Sequence, residues 1–188
     1  MWWYNFLKGV DNIDNLERVL KKRHFLKLHK IKERKREDIL SYISSYLFNV
    51  PVKIVMDRDF LKLKPQDTIS ILINSFDQEE TAAIIVDERD KLLGVITMKD
   101  LLRFFSPPKR YSIVGLNLLK CPTLSKGCTV ENLMVKNPIT IGIDDNLGQA
   151  IRVILETGKH HLPVIDKERR VHGLLEVKDI IRFIRLTW

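Results

Sequence analysis

Two short stretches of this 188-residue chain place chemically capable side chains at one repeated spacing. In the first, Gly94 precedes Thr97, Lys99 and Asp100; in the second, Gly173 precedes Glu176, Lys178 and Asp179. An oxygen-bearing side chain followed three residues on by aspartate suits the first turn of a helix, where backbone N–H groups lack partners. Those free N–H groups favour anions, so a hydroxyl there can donate to a phosphate. The competing use of both pairs is a plain helix cap.

Other chemistry is thinly represented. No P-loop, H-E-x-x-H, G-x-S-x-G or spaced Cys/His cluster occurs, so no enzyme class is indicated. His24 and His29 lie among lysines and His172 sits in an apolar run, so no metal site is expected. Cys121 and Cys128 match no zinc spacing. They read as free thiols of a reducing cytoplasm, with a disulfide as the alternative. The start, Met1-Trp2-Trp3-Tyr4-Asn5, lacks the basic and apolar regions of a secretory signal. No apolar run approaches the roughly 18 residues of a membrane span.

The elements that must hold these residues are themselves repeated. Gly94–Phe104 returns as Gly173–Phe183, 79 positions later, and Ala83–Asp87 returns as Leu162–Asp166. Met56 to Asp67 answers Met134 to Asp145 at an offset of 78. Self-similarity at a fixed period means one supersecondary unit built twice. Each copy runs through a short alternating segment (Phe60, Leu61, Leu63; Ile139, Ile141, Ile143) and an amphipathic helix (Ile69, Leu72, Ile73, Phe76; Leu147, Ala150, Ile151, Ile154, Leu155). Two β-runs joined by a polar turn follow, 82–86 with 92–96 and 162–165 with 171–175, and these should pair as hairpins. A closing helix starts near Asp100 and near Asp179. The expected fold is α/β (α+β), two β-α-β-β-α units packed as a pseudo-twofold pair. A single unit would leave one apolar sheet face in water, at about 25 cal/mol per Å².

Residues 1–50 precede this pattern, 51–106 and 129–188 form the repeats, and 107–128 connect them, with Pro107-Pro108 breaking the first closing helix. Of the net charge of +8, residues 1–50 carry +5, from 11 Lys/Arg against 6 Asp/Glu. Helices are expected over 11–34 and 37–50. The basic stretch 21–36 suits a solvated face, or contact with nucleic acid or an acidic protein partner.

The two β-α-β-β-α units, the Leu162-Pro163-Val164-Ile165-Asp166 strand and the Gly-h-h-Thr-x-x-Asp junction together resemble a tandem pair of cystathionine-β-synthase (CBS) domains. The resemblance implies a non-enzymatic cytoplasmic sensor that needs no cofactor and binds AMP, ADP or ATP in the cleft between the repeats. It also implies a homodimer, with residues 37–50 and the closing helices as contacts. Thr97 would meet the phosphate and Asp100 the ribose hydroxyls, while Leu63, Pro65 and Ile85 flank the base. By the family pattern His160, His161 and Lys178 meet the phosphates from the other repeat. The equivalent second cleft has Glu176 in the Thr position, with Asp179 and Lys99 remaining, so it disfavours phosphate. A neutral or cationic compound such as S-adenosylmethionine could use it. The alternative function is a dimeric scaffold whose basic N-terminal helix binds nucleic acid or another polyanion.

Overall fold

In a computed structural model of the chain, residues 48–76, 80–105 and 128–187 are described. The expectations for the N-terminal helices, for the basic stretch 21–36 and for most of the connection 107–128 lie outside them. The described residues fall into two compact units: 48–58, 140–166 and 172–187 in one, 59–139 and 167–171 in the other.

The second of these units holds most of the first repeat. Its elements are β1 (Lys62–Leu63), α2 (Ile69–Ser75), β2 (Ala82–Val86), β3 (Leu92–Thr97), α3 (Met98–Phe105), α4 (Val130–Leu133) and β4 (Val135–Lys136), numbered in chain order after α1 (Val52–Val55). The strands form one sheet in the order β1-β2-β3-β4. Every residue of β2 is buried, as its unbroken apolar run requires of a central strand. β1 pairs with it in parallel (Lys62↔Ile84, Leu63↔Ile85), and β3 pairs antiparallel, with Ala82 opposite Thr97. Leu63, Leu72, Ala83, Ile85, Ile96 and Val130 make the core.

The other unit holds most of the second repeat: β5 (Ile141–Gly142), α5 (Leu147–Thr157), β6 (His161–Ile165), β7 (Val171–Glu176) and α6 (Val177–Thr187), in sheet order β5-β6-β7. Asn146 opens α5 with a reciprocal cap, its Oδ1 accepting the Gln149 N–H at 3.0 Å while Gln149 Oε1 accepts the Asn146 N–H at 2.9 Å. Gly158, at φ 64°, closes the helix in the left-handed conformation that glycine tolerates. Leu147, Leu162, Val164, Leu175 and Phe183 pack here with Val52, Ile54 and Val55 of α1.

The compact units therefore differ from the sequence repeats in one respect: each repeat's leading segment lies on the other repeat's sheet. Strand β4 pairs antiparallel with β3, Gly94↔Lys136 and Val95↔Val135. Reciprocally, Asp57 bridges Leu174 of β7 through two backbone hydrogen bonds of 2.8 and 2.9 Å. The two motif glycines stand at these crossings. A Cβ on Gly173 would lie 2.7 Å from the Asp57 carbonyl oxygen, and one on Gly94 would lie 2.7 Å from Met134 Sδ and 3.0 Å from the Val135 carbonyl. Backbone yields less readily than a methionine side chain. Gly173→Ala is thus expected to cost about 1–3 kcal/mol, and more than Gly94→Ala, by urea denaturation; equal stability of Gly173→Ala and wild type would refute the tight crossing.

Sequence expectation and structure differ in detail. The closing helices begin at Met98 and Val177, two residues before the aspartates, because Asp100 and Asp179 serve as the third helical residue and not as the cap itself. The four-residue helices α1 and α4 and the strand β4 were not expected, being too short to show a period. The alternating segments shrink to two-residue strands, β1 and β5. Both hairpin turns carry a left-handed residue at the equivalent place, Asp90 (φ 58°) and Arg169 (φ 65°). In the first turn Asp87 accepts the Lys91 and Arg89 N–H groups, each at 2.8 Å, and these bonds hold its carboxyl below the usual range. Cys128 corrects the free-thiol expectation: it is buried beside Ile69 and disulfide-bonded.

Candidate functional site

The first candidate corner forms where β3 runs into α3. Thr97 and Asp100 cap the helix reciprocally: the Thr97 N–H reaches Asp100 Oδ2 at 3.1 Å, and the Asp100 N–H reaches Thr97 Oγ1 at 3.3 Å. The Thr97 hydroxyl also donates to Asp100 Oδ2 at 2.6 Å. The second carboxylate oxygen, Oδ1, takes an exposed ion pair with Arg103 at 3.3 Å. Hydroxyl and carboxylate are thereby fixed at the helix start, with the Asp100 side chain 14% exposed. For Asp100 the structural and the binding uses are compatible, because a carboxylate oxygen offers more than one lone pair, whereas the single Thr97 O–H must leave Asp100 before it can donate to a phosphate. Lys99 is exposed beside it.

Leu63 and Ile85 are brought together as partners on β1 and β2, and both belong to the apolar core. Pro65 is half-buried in the loop after β1, its carbonyl accepting the Glu131 N–H at 3.1 Å.

The matching corner of the second repeat is differently charged. Glu176 ends β7 and is 5% exposed; Asp179, 7% exposed, accepts its N–H at 2.9 Å. Glu176 Oε1 lies 3.0 Å from His161 Nε2, and Oε2 lies 2.5 Å from Lys178 Nζ. Of the histidine pair, His160 is exposed and contributes its carbonyl to the Val177 N–H at 3.2 Å, while His161 turns to the carboxylate. Burial pushes the Asp179 carboxyl up to about 6; the Glu176 N–H bond and Lys178 oppose the rise, and the carboxylates of Glu176 and Asp57 add to it.

The sequence reading assigned His161 and Lys178 to one site and Glu176 to another, and so missed their direct pairing. A signal was present: Ala82 lies opposite Thr97 on the first hairpin, and the 79-residue period carries that pair onto His161 and Glu176. His172, in the apolar run of β7, has its Nε2 at 2.9 Å from Asp166 Oδ2. An open groove of about 640 Å³ along α5, with Phe48, Gln149, Arg152 and Leu155 on its walls, contains none of the candidate residues. Among the described residues no group of His, Cys, Asp or Glu could hold a metal ion, and no helix is long and apolar enough to cross a membrane.

The CBS-domain family model matches residues 52–107 and 130–186. The CBS domain-containing protein CBSCBSPB1 of Arabidopsis thaliana is 31% identical over 121 residues, 64% of this chain and 20% of that protein. The chain spans about a fifth of the length of such curated relatives. The structure of CBSX2 from A. thaliana in complex with AMP is similar with a TM-score of 0.57 and 24% identity, over 70% of this chain and 93% of that one. The CBS domain pair of protein MJ0100, in complex with 5′-methylthioadenosine and S-adenosyl-L-methionine, is similar at 0.50 and 23%, over 70% and 92%. At these identities the solved structures bear on the fold. Two matched segments, each carrying the strand–strand–helix junction described above, place this chain in the CBS-domain family with two copies of the domain.

Proposed function

We propose that the chain is a regulatory module that binds an adenine nucleotide and conveys its occupancy to a partner without catalysing a reaction. The observation that carries this reading is the Thr97–Asp100 corner, a hydroxyl and a carboxylate held 2.6 Å apart at the first turn of α3. The helix start offers N–H groups to a phosphate, and the carboxylate can accept from ribose hydroxyls. The adenosine ligands solved with CBSX2 and the MJ0100 pair lend support. In this reading Leu63, Pro65 and Ile85 flank the base, His160, His161 and Lys178 serve a phosphate, and one phosphorylated ligand binds per chain. The Glu176–Asp179 corner, being acidic, is left to a neutral or cationic adenosine compound. A homodimer through the closing helices belongs to the same reading: Leu102 on α3 and Ile181 on α6 are 71% and 58% exposed at equivalent places of the repeats.

Titration calorimetry with AMP, ADP, ATP and S-adenosylmethionine tests it. AMP is expected to bind, and Asp100→Ala to weaken it about tenfold to a hundredfold, the loss of charge-assisted hydrogen bonds. Thermal melting of the variant separates this effect from loss of the helix cap. No uptake of any of the four compounds, or unchanged AMP binding by folded Asp100→Ala, would falsify the reading.

A further inference from the structure

We propose that Glu176 determines ligand specificity: it engages His161 and Lys178 itself and thereby limits the phosphate charge that an adenine ligand can bring to them. The inference rests on the nucleotide-binding reading above and names the charge class of ligand that this site prefers.

Two distances and three burials carry it. Each Glu176 carboxylate oxygen has its own basic partner, His161 at 3.0 Å and Lys178 at 2.5 Å. The Glu176 side chain is 6% exposed, whereas His161 and Lys178 are 21% and 50% exposed. The two basic side chains therefore reach solvent while the carboxylate lies beneath them. A buried carboxylate is stable only when its charge is matched, so these partners are held by it and not merely near it. The Glu176 and Lys178 charges cancel, and an arriving phosphate meets an ion pair in place of a lone cation.

A phosphate that contacts Lys178 also comes within a few ångströms of the carboxylate behind it. Like charges that close repel strongly enough at a partly buried site to change affinity by orders of magnitude. The penalty grows with ligand charge, so AMP is preferred to ATP and adenosine loses little by comparison. The equivalent residue of the first repeat, Thr97, carries no charge, so the repeated scaffold itself does not demand a carboxylate at this position.

The test compares adenosine, AMP and ATP binding to wild type and to the isosteric Glu176→Gln by titration calorimetry. Glu176→Gln is expected to strengthen AMP about tenfold or more, and ATP further, while adenosine changes less than about threefold. AMP binding to the variant should also fall more steeply with added salt. Glu176→Thr removes the charge with a different shape, and should shift the AMP-to-adenosine ratio in the same direction if Glu176→Gln fails to fold. An unchanged ratio, or weaker AMP binding in either folded variant, means the carboxylate only positions its partners and overturns the proposal. If wild type binds AMP and Asp100→Ala does not, while the Glu176 variants keep the wild-type ratio, this inference alone falls. If neither wild type nor the variants take up any of the three compounds, the nucleotide reading fails and this inference with it.

Discussion

Phe183→Ala is expected to remove about 3–5 kcal/mol of unfolding free energy, the loss typical of truncating a fully buried aromatic ring. Phe183 is 1% exposed on α6 and belongs to the core that also contains Leu147, Leu162, Leu175 and the apolar residues of α1. The ring cannot be replaced by collapse of small neighbours, because β6 is pinned in the sheet between β5 and β7 and α1 is tied to Asp145 by the Val52 N–H at 2.9 Å. Domains of this size hold about 5–15 kcal/mol in total, so the variant should be largely unfolded at modest urea. Leu155→Ala, at a residue 78% exposed on α5, is the matched control and should move stability by less than about 0.5 kcal/mol. A urea midpoint for Phe183→Ala within error of that control would mean that the ring is not part of the core.

The second large effect concerns pH. Asp179 has a carboxyl pushed up to about 6 from 3.8, chiefly by burial and further by Glu176 and Asp57. Between those values the folded chain holds a proton that the unfolded chain has released. Stability from this group is therefore greatest near pH 4 and is lost as pH rises through about 6. The interval of about two pH units corresponds to roughly 3 kcal/mol at most. Asp179→Asn keeps an oxygen to accept the Glu176 N–H and removes the charge. It should raise stability at pH 7.5 by about 1–3 kcal/mol relative to wild type, and much less at pH 4. Other groups titrate in the same range, so the difference between the two proteins isolates Asp179. Parallel stability curves for wild type and variant from pH 4 to 7.5 would refute the assignment.

The architecture was legible where chemistry repeats along the chain. Ala82–Val86 is a strand because its unbroken apolar run, ending in Ile84, Ile85 and Val86, suits a buried strand, and the 79-residue period marks His161–Ile165 as its second copy. Less was legible where the structure depends on contacts distant in sequence. Nothing near Met134 or Asp57 announces that these residues cross a glycine of the other repeat, and α1 and α4 are one turn long. The Thr97–Asp100 pair was visible as a motif, but its reciprocal capping follows from the helix starting at Met98. The pairing of Glu176 with His161 was the recoverable omission. Charge logic assigns the two residues to opposite duties, whereas the structure places their side chains 3.0 Å apart.

The exchange of leading segments also orders events during synthesis. When the ribosome has finished Phe105, strand β3 still lacks the neighbour that pairs with Gly94 and Val95, because Val135 and Lys136 are encoded about thirty residues beyond that point. The nascent first repeat consequently waits with an exposed backbone edge, a long-range closure of the kind that slows folding and invites pairing with other chains. Residues 56–58 wait longer still, for β7 near the carboxyl end. Neither half of the polypeptide is self-sufficient, and a gene split between the repeats would encode two fragments that each lack a piece carried by the other.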